Sequence, residues 1–246
     1  MTAEDFDATV GGGLSPAGML ELLEAHRISV SELEGVGAWQ RGGSAGEESR
    51  RSEERLYELA DLFGSARLNI GVIDEDGPAT APDDLVERFA AVCDRAREHG
   101  VVVGLEPLVL GWLRTPGQAA EIVTAAARPN GGVLLDSYHL FRAQAPLEEA
   151  LAQILPEQIV AVQINDALIE PRGSVFEDCC SYRLVPGEGE QPLVEFLGAL
   201  DRMGVDAPIA VELMAADLRP LPVHEAARRV ASATRSVLAE ARAATV

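Results

Sequence analysis

The sequence contains no lysine: all 20 basic residues are arginines. That excludes Schiff-base chemistry on a lysine amine and the lysine of a phosphate-binding P-loop, so any carbonyl chemistry needs another electrophile. Also missing is an uninterrupted apolar run of about 18 residues, the length that marks a membrane-spanning helix. The opening "MTAEDFDATV" is acidic where a secretory signal is basic and then apolar, and the expected location is the cytoplasm. Cysteine is scarce. Cys93 stands alone in a helical segment, and the adjacent Cys179 and Cys180 match no zinc spacing. Positive charge is in deficit, with 40 acidic residues against 20 basic ones and a formal net charge of −20. Such a balance repels phosphate backbones and anionic membranes, so a small molecule is the expected partner, not nucleic acid or a membrane.

What is present is an alternation. A chain of 246 residues, 47% of them hydrophobic, is long enough for one substantial core, and residues 1–246 are read as a single domain. Past residue 60, short β-rich runs alternate with longer helical patterns, the rhythm of βα units around a parallel sheet. Strands are predicted at 67–72, 101–106, 132–136, 159–165 and 208–213, with an earlier one in "SVSELEG" at 29–35. Helices are predicted in "SPAGMLELLEAHRI", with Ser15 as N-cap and Pro16 in the first turn, in "PDDLVERFAAVCDRAREHG", "TPGQAAEIVTAAARPNG", "PLEEALAQIL" and "PLVEFLGALDRMG", and over the tail from Pro222 to Val246. The stretch "QRGGSAGEESRRSEERLYELADLFG" reads as a glycine- and serine-rich loop that becomes a charged helix. The fold class is α/β, a TIM-type (β/α) barrel with about six or seven clear strands in place of eight. It is expected to be incomplete or irregular at its N-terminal end, where "EDFDATVGGG" offers one irregular strand at most. An exposed sheet edge would follow, and with it a homodimer that covers the edge.

The polar exceptions within the apolar runs fall in matching places. Glu106 in "VVVGLEPL", Asp136 in "GVLLDSYH", Gln163 in "IVAVQIND" and Glu212 in "PIAVELM" each sit at the C-terminal end of a predicted strand. In a parallel barrel those ends share one face, so three carboxylates and an amide meet above the core. Three close carboxylates need a counter-charge, which without lysine means arginine or a metal ion. An all-oxygen set points to Mn2+ or Mg2+ before Zn2+ or Co2+. Trp39 and Trp112 fall in βα loops, where each would wall a substrate or simply pack. Asp166, three residues after Gln163, would orient a ligand or a water, or form a turn. "PGEGE" lacks the strand-to-helix glycine pattern of a phosphate loop, and its glutamates would repel phosphate.

With these four motifs the sequence resembles the xylose isomerase-like barrel superfamily of sugar phosphate isomerases and epimerases, over roughly residues 14–240. Hydroxypyruvate isomerase, ketose 3-epimerases and inosose dehydratase belong to it. The resemblance implies Glu106, Asp136, Gln163 and Glu212 as metal ligands, the glutamine at the third position being more like the hydroxypyruvate isomerase branch. The family's D-x-x-H pattern corresponds to Asp136 and His139, which implies that the histidine contacts substrate or supports a ligand. Its R-x-x-P-G-x-G-E pattern corresponds to "RLVPGEGE", which implies that Arg183 holds a substrate oxygen. Two departures stand out: at least one N-terminal βα unit is missing, and "LIEPRGSVFEDCCSY" intervenes before Arg183.

A divalent ion holding two adjacent oxygens of a hydroxy-ketone would acidify the neighbouring C–H and stabilise an enediolate. Glu106 and Glu212, on opposite sides of that ion, are the candidate acid/base pair of an isomerase or epimerase. Two alternatives remain. The same enolate can expel a β-hydroxyl, which would make the protein a dehydratase acting on a cyclic polyol ketone or a dehydroshikimate-like substrate; or the barrel is a non-catalytic binding subunit. An abasic-DNA endonuclease is argued against by the acidic charge and by the presence of only four histidines.

Overall fold

Alternation along the strands decides which side chains face the helices and which face inward. Leu68 and Ile70, Val103 and Leu105, Val133 and Leu135, and Val162 and Ile164 are all buried in one apolar core beneath the helices. The intervening positions, among them Asn69, Gly104, Glu106, Asp136 and Gln163, point to the other face. In the computed structural model, which describes residues 1–73 and 84–245, these runs form six strands. They are β1 (Leu33–Val36), β2 (Arg67–Gly71), β3 (Val102–Glu106), β4 (Gly131–Asp136), β5 (Ile159–Ile164) and β6 (Ile209–Val211). All neighbours pair in parallel, in the order β1-β2-β3-β4-β5-β6.

The sheet curls into part of a barrel. Arg67 Nε on β2 donates to the Val160 carbonyl on β5 at 3.0 Å, and Gln163 Nε2 on β5 donates to Glu34 Oε1 on β1 at 2.6 Å. In a flat sheet β1 and β5 would stand about 19 Å apart, four strand spacings. Close approach across the interior requires small residues on the inner face. A Cβ on Gly104 would lie 3.1 Å from Asn69 Oδ1 and 3.3 Å from Leu134 Cβ. Among the described residues β1 and β6 do not pair with each other, so the barrel is open between them.

The helices are α1 (Ala3–Gly11), α2 (Pro16–His26), α3 (Gly43–Phe63), α4 (Leu85–Glu98), α5 (Pro116–Ala126), α6 (Ser137–Arg142), α7 (Leu147–Leu151), α8 (Val175–Ser181), α9 (Leu193–Met203) and α10 (Val223–Thr245). Ser15 caps α2 as its sequence announces, accepting from Gly18 N at 3.1 Å. The structure corrects the sequence reading at several places. "EDFDATVGGG" is helical, not an irregular strand, because Thr2 and Asp5 form a reciprocal capping box. The glycine- and serine-rich stretch after Gly42 already belongs to α3. Helix α7 is shorter than "PLEEALAQIL", β1 begins at Leu33 and not at 29, and α6 and α8 are additional. Pro82 and Asp83, which open the predicted helix "PDDLVERFAAVCDRAREHG", and Val246 lie outside the described residues. No helix among the described residues is long and apolar enough to cross a membrane.

Candidate active site

Glu106 ends β3, Asp136 ends β4, Gln163 is next to last in β5, and Glu212 follows β6 directly. Parallel register brings these ends together, and Asp136 and Gln163 are direct partners across β4 and β5. Arg183 joins them. Its Nη1 donates to Asp136 Oδ2 at 3.2 Å and to Glu212 Oε2, so one guanidinium ties β4 to β6. His139 Nε2 lies 3.8 Å from Glu106 Oε1, and ligand atoms of Glu106, Asp136 and His139 lie within 4.8 Å of one another.

Positive charge is short in this cluster. Burial, reinforced by the charges of Glu212 and Asp136, pushes the Glu106 carboxyl well above the usual range. Burial pushes Glu212 up to about 7 even though Arg183 pulls the other way. Asp136 is also raised by burial, against Arg183 and the backbone N–H groups of His139 and Tyr138. Burial works against the Arg183 guanidinium too, but Asp136 and Glu212 outweigh it and hold the side chain charged. His139 is kept neutral by burial and by the nearby guanidinium.

The segment before Arg183 builds the platform for that arginine. Helix α8 supplies Asp178, which is 2% exposed and accepts from Tyr138 Oη at 2.9 Å, Arg142 Nη2 at 2.7 Å and Arg172 N at 2.8 Å. Tyr138 then lies between two guanidiniums, with Arg142 Cζ 5.2 Å and Arg183 Cζ 4.9 Å from its ring centroid. The Cys179 carbonyl accepts from Arg183 Nε at 3.0 Å. Asp136 has a second task, because its Oδ1 caps α6 by accepting from His139 N at 3.1 Å. The D-x-x-H spacing is therefore a helix cap as well as a site motif.

Free oxygens decide whether a cation fits. Glu106 Oε1 and Gln163 Oε1 are buried without a hydrogen-bond partner among the described residues. The Gln163 amide is oriented by its nitrogen, which donates to the carboxylates of Glu34 and Glu32, so its oxygen is the group left over. Two orphaned acceptors beside Asp136 and Glu212 make an oxygen donor set that suits a divalent cation. His139 is placed differently. Val109 N points at its Nδ1 at 3.3 Å while the Arg183 guanidinium points at its Nε2, and a neutral ring accepts at one of these nitrogens and carries its proton on the other. Arg183 Nη2 stands 3.2 Å from that Nε2.

Three other predicted residues do not join the cluster. Trp39 is 5% exposed and packs in the core, its indole N–H donating to the Gly71 carbonyl at 2.9 Å and its ring against Phe89. Asp166 accepts from the backbone N–H groups of Ala167, Gly187 and Gln191, which clamps the "PGEGE" loop and occupies both of its oxygens. Trp112 is half-buried against the core, with its indole N–H unpaired among the described residues. Sequence reasoning missed Glu32, Glu34, Asn69 and Asn165. Asn165 Nδ2 donates to Asp136 Oδ2 at 2.9 Å, and the charge of Glu34 raises both Glu106 and Glu212. Polar residues at every second position of "SELEG" were the available signal.

The family model of the xylose isomerase-like TIM barrel matches residues 13–237. The 3-dehydroshikimate dehydratase of Pseudomonas putida is 30% identical over 189 residues, covering 75% of this chain and 28% of that protein. The inosose isomerase of Bacillus subtilis is 30% identical over 173 residues, covering 69% of this chain and 59% of that protein. The chain therefore spans less than two thirds of the length of either relative. A crystal structure of the IolI protein with a zinc atom superposes with a TM-score of 0.84 at 23% identity, over 98% of this chain and 87% of that one. At that identity the likeness speaks for the fold.

Proposed function

The chain belongs to the xylose isomerase-like TIM-barrel family, and we propose that it is a divalent-metal-dependent isomerase or epimerase of a small hydroxy-ketone or sugar-like substrate. The observation that carries this reading is the pair of orphaned oxygens, Glu106 Oε1 and Gln163 Oε1, in a cluster with Asp136 and Glu212 that is short of positive charge. Glu106, Asp136, Gln163 and Glu212 would hold the ion, Mn2+ or Mg2+ by their all-oxygen character. Bound there, a divalent ion supplies a Lewis acid that acidifies the C–H beside a carbonyl and stabilises the enediolate charge.

The protein's own groups do the rest. Arg183 Nη2 donates to the substrate carbonyl oxygen beside His139, and Arg183 is kept in place by Tyr138 and the Cys179 carbonyl. Glu106 and Glu212, from β3 and β6, face the site from two sides, and one removes the proton that the other returns. Carboxyls held above their usual range are suited to this exchange near neutral pH. Which carbon receives the proton decides between isomer and epimer. A second reading, dehydration, has support in the likeness to 3-dehydroshikimate dehydratases and needs only that a β-hydroxyl leaves before the proton returns. A homodimer covering the open edge between β1 and β6 belongs to the same proposal, and sedimentation as monomer alone counts against it.

The test is elemental analysis of protein purified without chelator, followed by turnover assays with ketoses, inososes and 3-dehydroshikimate. Stoichiometric divalent metal with an isomeric product of unchanged mass is expected. A product lighter by one water establishes the dehydratase instead, and protein without metal or turnover defeats both.

A further inference from the structure

All three cysteines are free thiols, and the proposed proton transfer uses none of them. Cys93, on α4, is fully buried in the core. Cys179 and Cys180 are placed differently: they are adjacent, lie in the last turn of α8, and stand beside the arginine on which the site depends. Arg183 Nε donates to the Cys179 carbonyl at 3.0 Å, and Arg183 Nη2 donates to Cys179 Sγ at 3.2 Å. That carbonyl belongs to the peptide joining the two cysteines, so whatever turns this peptide removes a contact of Arg183. Cys179 is 2% exposed and Cys180 is half-buried, on a helix whose Val175 and Phe176 are open to solvent.

Two neighbouring cysteines on a helix cannot be bridged as they stand. Successive helical side chains diverge by about 100°, and a trans peptide holds their Cα atoms about 3.8 Å apart, closer than the roughly 4.4–6.8 Å of an ordinary disulfide. Ring closure therefore takes the 179–180 peptide out of helical geometry. The hydrogen bond that spans the pair, from Tyr182 N to the Asp178 carbonyl at 2.9 Å, is lost with it. Helix α8 has seven residues, too few to hold a helix without its packing, so its last turn yields at little cost. Both Cys179 contacts of Arg183 go as well, the carbonyl by reorientation and the sulfur by bonding. A disulfide closed against such geometry is readily reduced, which makes the change reversible.

We infer that Cys179 and Cys180 form a thiol modification site, a dithiol that a low-molecular-weight disulfide oxidises to a vicinal disulfide, releasing Arg183 from α8 and switching the site off. Cys180, the thiol that solvent reaches, attacks the S–S bond of the reagent and expels one small thiol. Burial pushes the Cys179 thiol up to about 11 against the pull of Arg183, so Cys179 reacts second. Once the turn opens it gives up its proton, attacks the Cys180 sulfur and expels the other small thiol. Two protein thiols and one small disulfide thus become one vicinal disulfide and two small thiols. The effect on turnover rests on the proposed isomerase reading, whereas ring closure and release of the arginine do not.

The test incubates the metal-loaded full chain with 2-hydroxyethyl disulfide, an uncharged reagent that the net charge of −20 does not repel. Free thiols are then blocked and the chain is digested without reductant. Trypsin cuts after Arg172 and Arg183, so both cysteines fall in the peptide 173–183. That peptide is expected to be lighter by two hydrogens, with Cys93 blocked as a free thiol. Turnover falls at least about tenfold and the melting temperature falls by about 4–8 °C, as the guanidinium loses its contacts to α8, and dithiothreitol restores both. Cys180→Ser, which leaves the Cys179 contacts in place, keeps its turnover and melting temperature in the reagent. A stable mixed disulfide on Cys180, a bridge between chains, ring closure that leaves turnover or melting temperature unchanged, or an equal loss in Cys180→Ser overturns the inference. If the reduced parent turns over no ketone, the isomerase reading fails, and the peptide mass and melting shift still decide this one. Turnover by a parent that forms no vicinal disulfide does the reverse.

Discussion

The two walls of the barrel mouth are built on opposite electrostatic plans. On the β4–β6 side, Asp136 and Glu212 share the Arg183 guanidinium, and Asp136 also receives N–H bonds from His139 and Asn165. On the β1–β2 side, Glu32 and Glu34 receive, among the described residues, only neutral amide donors from Asn69 and Gln163. The first wall is charge-compensated by the protein and is held by a second layer in which Asp178, Arg142 and Tyr138 fix the arginine. The second has no side-chain cation bonded to its carboxylates among the described residues. A structural carboxylate is paired at home, and a binding carboxylate is paired by what it binds.

Breaking the compensated wall has the largest expected effect. Arg183→Met leaves Asp136 and Glu212 buried without the guanidinium that balances their charge, a loss of about 3–5 kcal/mol in denaturant unfolding. Saturating divalent metal is expected to restore part of it, because the ion replaces the missing charge. A variant as stable as the parent without metal would show that the arginine is incidental. Glu212→Gln comes next. It keeps shape and fold but removes an acid/base group and a metal oxygen, and turnover is expected to fall about 100-fold or more, measured with the metal-loaded enzyme. Full activity in that variant would falsify its assignment.

How much of this contrast is legible in the sequence differs between the walls. Glu106, Asp136, Gln163 and Glu212 are each a single polar residue closing an apolar run, so strand period and parallel topology together place them on one face. The role of "FEDCCSY" was not legible, because Asp178 acts on Tyr138 from 40 residues away through a helix that local pattern does not demand. Glu32 and Glu34 were hidden for a different reason. Their strand reads as polar, "SELEG", and its burial arises only from the curl that brings β5 within hydrogen-bond reach of β1. Trp39 taught the converse: a position in a βα loop permits a substrate wall, but the Gly71 carbonyl and Phe89 take the ring into the core. Period and capping are local and therefore readable, whereas contacts across the barrel depend on how many strands close it.

The smaller effects sharpen the uncompensated wall. Asn69→Ala removes one of the two amides that donate to both glutamates and leaves the pair to Gln163 alone, and a loss of about 1–3 kcal/mol is expected in chemical denaturation. Glu34→Gln has the opposite sign. It keeps the shape while removing a carboxylate whose charge bears on Glu106 and Glu212. The free protein is expected to gain up to about 1 kcal/mol, read as a higher melting temperature, because function and not stability retains the charge. A Glu34→Gln protein less stable than the parent by the amount Arg183→Met loses would mean that both walls are structural, and the contrast between them would disappear.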